Sequence, residues 1–350
     1  MKKIIMAVAA VAMAASLFAV DVAAQLVLKT NLFDSATKTI LTDPESTGFD
    51  KNNTYAKFSA SADRAGGSFI IKDIGKELTS DDPKVTIKDN FKDFGDMTLW
   101  FQPVDALKVT VGAVETGSLV RGTFAWWHRS VRVEKDAAIA LNANVGPVAI
   151  EFVNWGPLAD FNAEGYAMLG NFFLAGNIGL GDAGTIQVVA EKGADLSAYG
   201  VGGWEGSDLT AFGVAYDHMP WQQTGFYADA YVAFANSDFA FRKVVSQIGG
   251  QYCGNGLALR LSNMIAYGQA YGNGVNNFYY GFVARAQYAI DSVTPYVEVK
   301  GHEIMDKKCE VNAGAVINVG ACEIDASFHT AIEDGKEFAF NIPVQFKVSF

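Results

Sequence analysis

Four histidines, at 128, 218, 302 and 329, are the first candidates for chemistry in this 350-residue chain. None stands in an HExxH spacing, and His302-Glu303 lacks the second histidine that a helical zinc pair needs. Asp217-His218 sets an acid beside a base, the makings of a hydrolytic dyad at a rim, yet adjacent strand residues point to opposite faces. No GxSxG elbow, P-loop or dinucleotide fingerprint occurs, and glycines such as those at 200–203 read as loop residues. Neither a metal nor another cofactor is expected, and no catalytic residue is assigned. The cysteines, 253, 309 and 322, are odd in number, so at least one stays unpaired within a chain. Cys309 and Cys322 bracket one extended segment, which separates them by roughly 30 Å, too far to bond.

The charged residues are more informative. Lys108, Glu151, Asp229, Arg260, Arg285, Glu298 and Lys300 each interrupt an apolar, two-residue rhythm. If one hairpin is centred between Gly272 and Asn273, Arg260 lies across from Arg285. If the next turn is centred near Asp291 and Ser292, Arg285 lies across from Glu298. Two guanidiniums and a carboxylate would then form one row over three strands. Such a row can impose a transverse field on a passing solute, or it can be a wall salt bridge that neutralises its own cations.

The elements that carry these charges must be strands. At the C-terminus Phe338, Phe340, Ile342, Val344, Phe346, Val348 and Phe350 alternate with Asn341, Gln345, Lys347 and Ser349. A helix cannot sort those residues onto one face; a strand does. The same alternation runs through 107–113, 139–144, 278–288 and 310–319, each about the length that a tilted strand needs to cross a bilayer core. Trp100, Phe101, Trp155, Phe226 and Tyr227 stand near strand ends, where an interfacial aromatic belt is expected. A soluble sandwich would share the period but not the leader. Lys2 and Lys3 precede an apolar run to Val20, and small residues close it, which suits an export signal over 1–24 cut before Gln25, with a cut after Ala19 as second choice. A formal charge of −11 makes nucleic acid an unlikely partner.

Here the chain resembles the bacterial outer-membrane β-barrel proteins, porins among them, whose last strand alternates in this way and ends on a phenylalanine that the barrel-assembly machinery recognises. Phe350 is that residue by resemblance. The implied fold is a single all-β, transmembrane, antiparallel up-and-down barrel over 25–350, lodged in outer-membrane lipid. Short breaks near 63–66, 102–105, 145–147, 181–183, 218–224, 254–255, 291–292 and 320–322 alternate with nine longer outer connections. That count gives 18 strands, or 16 if one hairpin is misread, a ring wide enough for water. Pro343 cannot donate to a ladder and is expected to mark an irregularity.

The resemblance further implies a passive channel for small hydrophilic solutes or ions, and a homotrimer is compatible with it. The seven charges named above would line the lumen, without deciding between cations and anions. In porins one long loop bends inward, and the basic, aromatic segment 116–136 is the candidate here, with Arg121, Trp126, Trp127, His128, Arg129 and Arg132. A surface lid, a subunit contact or an interfacial aromatic patch would use the same residues. The competing functions are a display barrel that binds ligands through its outer loops and, more remotely, a rim hydrolase.

Overall fold

An alternating chain in hydrocarbon satisfies its backbone groups only if every strand is paired on both edges. The computed structural model, which describes residues 21–36, 38–42, 55–72, 97–119, 132–155, 171–193, 209–219, 223–269, 276–303 and 308–350, adopts that solution. Its strands are β1 (Asp21–Asp34), β2 (Thr39–Thr42), β3 (Tyr55–Ala62), β4 (Ala65–Lys72), β5 (Met97–Val104), β6 (Leu107–Gly117), β7 (Arg132–Val145), β8 (Val148–Trp155), β9 (Asn171–Gly179) and β10 (Thr185–Lys192). They continue as β11 (Leu209–His218), β12 (Gly225–Ala235), β13 (Phe241–Gly254), β14 (Leu257–Gln269), β15 (Asn276–Tyr288), β16 (Val293–Glu303), β17 (Lys308–Val319), β18 (Cys322–Glu333) and β19 (Ala339–Ser349). β2 is a short arm folded back on the end of β1, Ile40 opposite Phe33. The other eighteen each run antiparallel to the next, and β19 pairs with β1. The sheet is therefore a closed 18-strand up-and-down barrel, the larger of the two expected sizes.

One rim carries the short connections. β13 and β14 meet in a two-residue Asn255-Gly256 turn with φ of 51° and 81°, the left-handed pair that matches the twist of a hairpin. Two-residue turns also close at 63–64, 146–147, 291–292 and 320–321. The opposite rim carries the long connections. No helix among the described residues is long and apolar enough to cross a membrane, which says nothing of a β-barrel.

The parity of each strand is as the alternation predicts. Leu99, Ile139, Val214, Ile248, Leu261, Phe278, Val297 and Val319 are exposed on the outer face, while their neighbours point inward. The aromatic belt needs correction. Phe101 and Phe226 are outward and exposed, but Trp155 and Tyr227 are buried on the inward parity, and Trp100 turns inward to lie under the Lys108 ammonium at 4.7 Å. Nearness to a strand end says nothing about face; only odd or even position does. Around Pro343 the ladder between β18 and β19 skips from Ala326/Val344 to His329/Asn341. On the other side the register of β1 against β19 shifts between Asn31 and Asp34. The proline's missing donor is accommodated by irregularity in both neighbours.

Candidate functional site

The inward face holds a row of polar side chains set by register alone. Gln251, Arg260, Arg285, Glu298, Asn312, His329 and Asn341 are successive cross-strand partners from β13 to β19. Arg285 Nη1 lies 3.5 Å from Glu298 Oε2, and Lys300 Nζ lies 3.0 Å from Glu298 Oε1, so one carboxylate serves two cations. The Arg285 guanidinium also stacks 4.0 Å above the Tyr296 ring, and the Tyr296 hydroxyl donates to Asp325 Oδ1 at 2.8 Å. Farther along, Glu310 lies 3.7 Å from both Lys308 Nζ and His329 Nε2, while His329 Nδ1 contacts Asn341 Oδ1 at 3.1 Å. Lys347 Nζ is 3.6 Å from Glu323 Oε1. A cavity of about 580 Å³ opens below this network, near the short-turn rim, lined by Cys253, Arg260, Arg285, Gln287, Asn318 and Glu323.

The other part of the wall carries Lys108 with Trp100, Glu151 opposite Asn142, and buried Asp229. Asp229 leads to a feature that connects strands far apart in the ring. After β6 the chain leaves the wall: Ser118 Oγ donates to Asp229 Oδ2 at 3.0 Å, and the Leu119 N–H donates to Gln187 Oε1 at 2.6 Å. Gln187 Nε2 returns a bond to the Gly117 carbonyl at 3.3 Å, and Leu119 packs against Ala215 and Tyr227. Residues 117–119 thus lie inside the ring, against β10, β11 and β12. Of the loop candidates, Arg121, Trp126, Trp127, His128 and Arg129 lie outside the described residues; Arg132 opens β7, its backbone paired with Gly117.

Inward polarity is uneven along the axis. Toward the long-loop rim of β6 to β15, the inward residues Val133, Val153, Phe173, Leu209, Tyr231 and Val245 form a contiguous apolar cluster, each no more than 1% exposed. The inward face is polar in the short-turn half and along β16 to β19, while in this quadrant the apolar cluster has buried Glu191 and Lys243 set into it.

Sequence reasoning missed Gln187, Ser118 and Tyr296, whose partners lie on other strands. It also missed Tyr227, whose hydroxyl donates to Ser262 Oγ at 2.5 Å by crossing over Gly249 of the intervening strand. Asp217 sits on the inward parity opposite Thr185, and His218 on the outward parity beside Phe226, so the two do not form a dyad. Among the described residues no cluster of three His, Cys, Asp or Glu is placed to hold a metal, and all three cysteines are free. A larger apolar concavity, about 780 Å³, lies on the outer face around Ile150, Leu174, Val188 and Val214, where hydrocarbon rather than solute would rest.

No family model and no curated protein matches the chain. Solved structures do. OccK1 (OpdK) of Pseudomonas aeruginosa aligns with a TM-score of 0.52 at 10% identity over 95% of this chain and 98% of that one. A second OpdK structure, with vanillate, gives 0.51 at 10% over 95% and 98%. Salmonella typhi OmpF, in complex with daunomycin, gives 0.50 at 12% over 95% and 97%. At such identities the likeness is one of fold. With its closed ring of eighteen strands and apolar outer belt, the chain has the fold of the bacterial outer-membrane β-barrel porins.

Proposed function

We propose that the protein is a porin-like channel through which small hydrophilic solutes or ions diffuse passively across the outer membrane. The observation that carries this reading is the inward polar row from Gln251 to Asn341, continuous with a cavity open near the short-turn rim. Polar side chains there replace part of a solute's hydration shell, while the outer belt keeps the ring in lipid. The mechanism is diffusion, so no cofactor takes part. Lys108, Glu151, Asp229, Arg260, Arg285, Glu298 and Lys300 are assigned to the pore lining. The segment 116–136 is assigned to the constriction, a reading supported by residues 117–119, which enter the ring and are pinned there. The Phe350 side chain, exposed at the rim, suits recognition by the assembly machinery, and a homotrimer suits the fold.

A second reading has its own support. The buried inward cluster near the long-loop rim suits a barrel that is shut and serves to display its loops. Purified protein in a planar bilayer separates the two. Stepwise conductance is the expected result; silent insertion, together with ligand binding by the outer loops, would establish display instead.

A further inference from the structure

His329 stands between an amide and a carboxylate, and the two contacts fix where its hydrogen sits. Nδ1 lies 3.1 Å from Asn341 Oδ1, which can only accept, so in the neutral ring Nδ1 carries the hydrogen and Nε2 is a bare lone pair. Nε2 makes no hydrogen bond among the described residues and lies 3.7 Å from Glu310 Oε2. A lone pair thus faces a carboxylate oxygen from a residue that is 6% exposed, and one added proton converts that repulsion into an ion pair.

The neighbouring charges are held by register. Glu310 Oε1 lies 3.7 Å from Lys308 Nζ, which leaves the other oxygen turned to His329. Beside Glu310 in the ladder stands Lys300, bound to Glu298; Asn312 separates Glu298 from His329, and Asp34 of β1 follows Asn341. On β18 itself, Asp325 and Glu333 share the inward parity, the first accepting from Tyr296 and the second bound to Lys336. We propose that His329 and Glu310 form a proton-binding selectivity site in the long-loop half of the lumen. A proton from the lumen adds to Nε2, and Glu310 then serves two cations, Lys308 and His329, as Glu298 serves Arg285 and Lys300. The wall of β16 to β19 gains one positive charge, and the passage favours anions more in acid than at neutral pH. The effect on ions rests on the channel reading above; proton uptake at Nε2 is read without it.

The test titrates the full protein by two readouts. In detergent micelles, NMR of isotope-labelled histidine identifies the ring by the signals missing from His329→Gln. The expected neutral ring carries its hydrogen on Nδ1 and takes up a second at Nε2 as the pH falls from about 8 to about 5. In a planar bilayer under a salt gradient, the parent's zero-current potential should move toward anion preference over the same range. His329→Gln should match the parent near the upper limit and move less below it. His218→Gln, on the outward parity beside Phe226, should follow the parent throughout. A ring that stays neutral over the whole range, or whose neutral form carries its hydrogen on Nε2, would overturn the site. A titrating ring with His329→Gln following the parent's potential would overturn its control of ion preference. A titrating ring without conductance at any pH would sink the channel reading, and the selectivity role with it, while the proton site stands.

Discussion

Glu298 is shared, and sharing makes its removal directional. Its two carboxylate oxygens face Arg285 and Lys300, and Arg260 stands next in the row, so removing its charge strips negative charge from beside three cations. Glu298→Gln keeps the shape and the acceptor but removes the charge, so the zero-current potential under a salt gradient should move toward anion preference. Arg260→Glu with Arg285→Glu should move it toward cations. Opposite displacements are the signature of a lining role; two unchanged potentials would leave the row as a wall salt bridge. Gly249 offers a different kind of test, because the Tyr227 side chain lies across it to reach Ser262. A side chain there must displace the phenol, so Gly249→Val should cost about 2 kcal/mol and lower the thermal unfolding temperature more than Ser262→Ala, which removes only the acceptor.

At the scale of elements, the described stretch after β6 is bonded to β10 and β12 through two side chains, Gln187 and Asp229. Asp229 also accepts from the Gln247 N–H at 2.7 Å, which fixes its carboxylate for Ser118. The double variant Gln187→Ala, Asp229→Ala should release residues 117–119, and single-channel records should show larger, noisier current steps than the parent. Strand period, strand number and the Arg260–Arg285–Glu298 register were legible in the sequence. Each depends on parity and on turns such as Asn255-Gly256 and Asp291-Ser292, which centre their hairpins locally. The pinning of residues 117–119 was not legible, since its partners lie 68 and 111 residues away and no short-range pattern encodes them. The inward turn of Trp100 and Trp155 was legible in principle, because each shares parity with polar inward neighbours, whereas nearness to a strand end does not fix a face.

For the whole molecule, the question is whether water runs the length of the ring. The short-turn half is polar and contains an open cavity, whereas near the other rim Val133, Phe173, Leu209, Tyr231 and Val245 are buried, with Glu191 and Lys243 buried among them. Native thiols give a way to map the divide. Cys253 lines the cavity, while Cys309 and Cys322 lie on the outward parity of β17 and β18 and can be replaced by alanine. Ala233, inward on β12, 0% exposed and opposite buried Lys243, reports that quadrant when changed to cysteine in a chain that lacks the other three. A small, charged, membrane-impermeant thiol reagent should modify Cys253 readily and Ala233→Cys slower by an order of magnitude or more, because reaction there awaits a rare opening. The same Ala233→Cys chain carrying Gln187→Ala and Asp229→Ala should react faster, since loss of the two anchors frees chain from the lumen. Equal rates at both thiols in the otherwise native ring would mean that the long-loop half is wet and that solutes meet no closed stage. A slow Ala233→Cys beside measurable conductance would place the current along β16 to β19, where Lys308, Glu310 and His329 keep the inward face polar to the long-loop end.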